Sequence, residues 1–158
     1  MKFNNVIAAI ALEDDLAEGV VKAARSLAEK DGASLEILSA WPLLTTMLPV
    51  SSGDVAANSA VISEAMVQRN REARAQNEEK LKAMVARLAP AATFVLLDGE
   101  PAEVIGHYAK DKNADLIVTG SHQRNFWGSL FQGSASRDLI REAPCAVFLV
   151  TKAYAEKL

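Results

Sequence analysis

The stretch from Ala114 to Val150 reads ADLIVTGSHQRNFWGSLFQGSASRDLIREAPCAVFLV. Leu116 to Val118 is a short apolar strand running into Gly120, and a polar loop follows. Gly133-Ser134 then opens a helix that Pro144 stops, and Ala146 to Val150 is a second buried strand. The order strand, glycine, loop, glycine, helix points backbone N–H groups of a helix N-terminus at the loop, where the dipole favours an anion. The segment is a candidate phosphate cradle. It is not a Walker A loop, since no Gly-Lys-[Ser/Thr] occurs. Its glycine spacing also excludes a dinucleotide fingerprint.

The rest of the chain alternates in the same way. Val6 to Leu12 is a continuous apolar run, as a parallel strand covered on both faces requires. Glu13-Asp14-Asp15 breaks it and offers N-cap and first-turn acids to a helix. Leu16, Val20, Ala23, Ala24, Leu27 and Ala28 recur there at helical spacing, and Asp31-Gly32 closes it. Leu35 to Trp41 is a second strand, ended by Pro42. Leu43 to Asn58 is a long irregular stretch that reads as a mobile flap. A helix is predicted from about Ala60 to Leu88, with Leu81, Met84, Val85 and Leu88 as its apolar stripe and Gln68 to Lys80 as solvated surface. Ala92 to Leu97 is a third strand. Asp98-Gly99-Glu100-Pro101 turns into a helix with Ala102, Ile105, Tyr108 and Ala109 inward and Asn113 at its close.

Strands alternating with helices predict an α/β fold, a single doubly wound five-stranded parallel sheet with helices on both faces. The expected order is 3-2-1-4-5, which places a topological switch point between the first and fourth strands, and ligands bind there at the carboxyl ends. The Gly120 loop leaves the fourth strand at that place. One domain is expected over residues 1–158.

Composition narrows the classes. Half of the residues are apolar, yet no apolar run is long enough to cross a bilayer, so a soluble chain without a membrane partner is expected. The formal net charge of −3 argues against nucleic acid as partner. MKFNNVIAAIAL reads as a first strand rather than a signal peptide. Cys145 is the one cysteine, consistent with a reducing, cytoplasmic setting, and reads as an inert core thiol. No enzyme is expected, since HExxH, GxSxG and CxxC are all missing; slow ATP hydrolysis is an alternative open only if the loop holds a metal–triphosphate. His107 falls in a helix and reads as a surface residue.

Three runs now carry a resemblance. They are Gly99-x-Pro101-Ala102-x-x-Ile105, then Ala114-Asp115-Leu116-Ile117-Val118-x-Gly120, then Ala143-Pro144-Cys145-x-Val147. With them, nearly the whole chain resembles the universal stress proteins. The nucleotide-binding branch of that family carries G-x2-G-x9-G-[ST] after the fourth strand. Gly120, Gly133 and Ser134 fall in that register, but Gln123 stands at the middle glycine. Ala11 stands where nucleotide-binding members end the first strand with an Asp.

The resemblance implies a regulatory, ligand-sensing module in stress resistance that binds an adenine nucleotide, ATP or AMP, with Mg2+ entering only beside a triphosphate. The phosphates would rest on the N–H groups of Gly133, Ser134, Ala135 and Ser136, and the base near Ala11 and Ala40. Gly120, His122 and Gln123 would line the loop. Each departure weakens binding: Gln123 adopts a positive φ only at a cost and its side chain would fill phosphate space, and the Asp missing at Ala11 is a lost charged hydrogen-bond partner worth roughly 1.5–3 kcal/mol. The alternative is a dimeric interaction protein that binds no nucleotide. The family also pairs its last strand with that of a second subunit, which implies a homodimer through Ala146 to Val150. Phe126-Trp127 is either packed on the domain, an anchor for an unidentified protein partner, or a lid over a base.

Overall fold

In the computed structural model, residues 1–44, 63–121 and 143–158 are described. Their elements run β1 (Asn5–Ile10), α1 (Ala17–Asp31), β2 (Ser34–Trp41), α2 (Glu64–Leu88), β3 (Thr93–Asp98), α3 (Pro101–Asp111), β4 (Leu116–Gly120), β5 (Ala146–Val150) and α4 (Lys152–Ala155). The strands form one sheet in the order β3-β2-β1-β4-β5, every neighbouring pair parallel. Fold class and strand order are those expected from the sequence.

The two faces of the sheet carry two apolar clusters. Val6, Ala8 and Ile10 of β1, with Ile37, Leu96, Leu116, Val118 and Val150, pack under α1 and α2. Ile7 and Ala9 of β1, with Leu38 and Ile117, pack under α3 through Ala102, Ile105 and Ala109. Alternation along β1 thus feeds both layers, which is why its sequence is apolar without interruption. On α1, Val20, Val21, Ala23, Ala24 and Ala28 are the buried stripe, and Gly32 ends the helix at φ 67°. On α2, Leu81 and Val85 are buried as expected, with Met84 and Leu88 packed beside them.

Several boundaries differ from the sequence reading. β1 stops at Ile10 rather than Leu12, because the Ala11 carbonyl accepts from the Asp14 N–H (3.0 Å) and the ladder ends in a turn. Leu16, not the acidic trio, is the N-cap of α1. Asp14 acts one turn earlier: its carboxylate accepts from the Leu16 N–H (2.8 Å) and its carbonyl from the Ala17 N–H (3.1 Å). Ser63 caps α2 by accepting from the Met66 N–H (3.3 Å); the expected earlier start near Ala60 lies outside the described residues, as does the flap beyond Leu44. β4 extends to Gly120. β5 is not a buried strand: Val147 and Leu149 are exposed and only Val150 is fully buried, since β5 is the sheet edge. The helix α4 after β5 was not anticipated from the sequence.

Candidate functional site

The switch point is where the sequence placed it. β1 pairs with β2 on one side and β4 on the other, so the chain leaves the carboxyl ends of β1 and β4 in opposite directions. Ala11 directly follows β1 and is half-buried. Ile10 is paired with Ser39, so Ala11 and Ala40 stand one step beyond, side by side at the carboxyl edge. Gly120 ends β4 one residue past Thr119, the partner of Ala9. The structure therefore brings Ala11, Ala40 and Gly120 to one edge. They do not share a face. Ala40 alternates with Ser39 onto the α3 side, whereas a Cβ on Gly120 would point at α1, 3.4 Å from Leu16 Cβ and 3.6 Å from Val20 Cγ2. Those are ordinary contact distances, so packing on α1 does not by itself demand glycine.

His122, Gln123, Gly133, Ser134, Ala135 and Ser136 lie outside the described residues, as do the helix opened by Gly133-Ser134 and the pair Phe126-Trp127.

Charge at the edge is mostly negative. Glu13, Asp14 and Asp15 follow β1, Asp98 ends β3 and Glu100 follows it. The cations that reach them are engaged: Lys80 lies 3.7 Å from Glu13, and Arg74 holds Asp98. Among the described residues, then, an anion at this edge meets alanine methyls and backbone rather than a basic cluster. No group of three or more His, Cys, Asp or Glu among them could hold a metal ion.

Two contacts here escaped the sequence reading. The Trp41 indole N–H donates to the Asn70 side chain (3.0 Å). Arg74 clasps the Asp98 carboxylate through Nε (2.7 Å) and Nη2 (2.9 Å), and Nη2 also donates to the Leu96 carbonyl (3.1 Å). These bonds raise the Arg74 pKa above its ordinary value, the Asp98 hydrogen bonds foremost. Asn70, Arg74 and Asn77, spaced four and three apart, are the half-buried face of a segment read as wholly solvated. That spacing was the available signal.

The remaining motif residues serve the fold. Asp115 accepts from the backbone N–H groups of Asn4 (2.6 Å) and Asn5 (2.9 Å), which hold its carboxyl below the usual range. Gly99 adopts φ 139° and donates its N–H to the Trp41 carbonyl (2.9 Å), and a Cβ there would lie 2.5 Å from Val104 Cγ1. Cys145 is half-buried, and burial, then the Asp115 charge, push its thiol up, away from the reactive thiolate. His107 is exposed.

Comparison with known proteins agrees with this architecture. The model of the universal stress protein family matches residues 2–151. A universal stress protein from Thermus aquaticus is 43% identical over 79 residues, covering 49% of this chain and 58% of that protein. One from Synechocystis is 28% identical over 143 residues, covering 86% of this chain and 90% of that protein. Among solved structures, the hypothetical protein MJ0577 superposes at a TM-score of 0.67, with 15% identity over 96% of this chain and 98% of that one. A universal stress protein crystallised with cAMP superposes at 0.55, with 18% identity over 95% and 98%. The switch-point fold, the three sequence runs and the match over residues 2–151 make this chain a member of the universal stress protein family.

Proposed function

We propose that the protein is a cytoplasmic regulatory module of stress resistance that senses an adenine nucleotide, ATP or AMP, weakly, at the carboxyl edge between β1 and β4, and works as a homodimer. The observation that carries the reading is the convergence of Ala11, Ala40 and Gly120 at the switch point of the sheet. The likeness to a universal stress protein solved with cAMP makes adenine nucleotides the class to test. In this arrangement the base lies near Ala11 and Ala40, and the phosphates take backbone N–H groups of Gly133 to Ser136. Ala11 offers the ligand a methyl group in place of a carboxylate, and the nearby acids repel a polyphosphate, so affinity is low. No catalytic role is assigned to any residue.

Titration calorimetry with ATP and AMP on the native chain and on Ala11→Asp/Gln123→Gly tests this. The native chain is expected to bind weakly and the double variant at least about tenfold tighter, because each change restores a term of roughly 1–3 kcal/mol. Tight binding by the native chain would show that the two departures are immaterial. No binding by the double variant would leave the second reading, a dimeric interaction protein without nucleotide. The outward-facing Val147 and Leu149 of the edge strand favour that reading.

A further inference from the structure

The family match ends at residue 151, and the chain continues into α4. The Thr151 side chain caps this helix by accepting from the Tyr154 N–H (3.3 Å), and its carbonyl accepts from the Ala155 N–H (2.9 Å). Tyr154 meets Phe148 of β5 edge to face, ring centroids 5.7 Å apart. Ala155 packs on the apolar cluster under α1. Ala155 also comes up against Gly19 in the first turn of α1: a Cβ placed on residue 19 would lie 2.7 Å from Ala155 Cβ and 3.9 Å from Val150 Cγ1. Gly19 is buried and helical, with no positive φ to require glycine. Glycine inside a helix is a standing cost, and here the space it leaves is filled by Ala155.

We propose that residues 151–158 form a strap that fastens the edge strand β5 onto α1, with Gly19 as its docking notch. The strap covers the Phe148 and Val150 side of β5, and Val147 and Leu149 lie on its other side. Release of the strap uncovers Phe148 and loosens β5 selectively, because β5 is an edge strand paired with β4 alone and the strap packs at this edge and not at β3.

A double-mutant cycle on the full chain tests the notch. In the Ala155→Gly background the added methyl of Gly19→Ala has room, and the gain in helix propensity is expected to raise Tm by roughly 1–4 °C. In the native background the same substitution meets Ala155 and is expected to give no rise. An equal rise in both backgrounds would overturn the proposal. Gly19→Leu, which displaces the strap outright, is expected to speed amide hydrogen exchange in β5 at least about tenfold while β3, at the opposite edge, is unchanged. Unchanged exchange in β5, or equal acceleration in β3, would likewise overturn it.

Discussion

Asp115 belongs to a run that identifies the family, yet it lies at the amino end of β4, away from the candidate ligand edge. Its work is to tie the start of β1 to β4 through the Asn4 and Asn5 N–H groups. Both bonds favour the ionised carboxylate, so its pKa in the folded chain is below the unfolded value. Between those two values the unfolded chain binds more protons, so stability rises with pH there. The contribution is complete above the unfolded pKa and is lost as pH falls through the folded one, a window lying below about pH 4. Asp115→Asn is therefore expected to lose less stability than the native chain between pH 5 and pH 3 in urea titrations; parallel losses would contradict this account. Gly99 teaches the same lesson. Its place in a motif was visible, but the reason, a positive φ beside Val104, is a property of the folded turn.

Among elements, α2 departs furthest from its sequence pattern. Its first half shows almost no apolar stripe, and its outer side is indeed exposed. Its inner side is fastened by polar groups: Asn70 to Trp41, and Arg74 to Asp98 and the Leu96 carbonyl. The Arg74–Asp98 pair is partly exposed, so solvent screens it. Its two-pronged geometry and the added carbonyl still make it worth about 1 kcal/mol. Arg74→Leu should cost that much in chemical denaturation, and Arg74→Lys should recover only part of it, because an ammonium cannot form the fork. Full recovery by Lys would mean that charge alone matters. The acidic trio after β1 shows the opposite error. Its residue types suit an N-cap, but Asp14 is spent on the turn before the helix, and Leu16 occupies the cap.

At the scale of the whole molecule, an edge strand with Val147 and Leu149 outward needs a cover. The proposed pairing of β5 with its copy across a two-fold axis would supply one. Val147→Lys is expected to move the protein from dimer toward monomer in sedimentation at micromolar concentration; a stable native monomer would refute the pairing.

The alternation of apolar runs with helical stripes already determined the class of fold, and the common order for such a five-stranded parallel sheet, β3-β2-β1-β4-β5, is the one the structure has. From that order the edge shared by Ala11, Ala40 and Gly120 followed, because periodicity and handedness are local properties that each segment carries with it. The tertiary structure alone decided which polar groups meet across elements: Arg74 with Asp98, Asp115 with the start of β1. It alone seated Ala155 against Gly19, turned one side of β5 outward and ended β1 at Ile10. Such contacts join residues far apart in the chain, and whether two surfaces meet depends on how the layers stack, which no local pattern records.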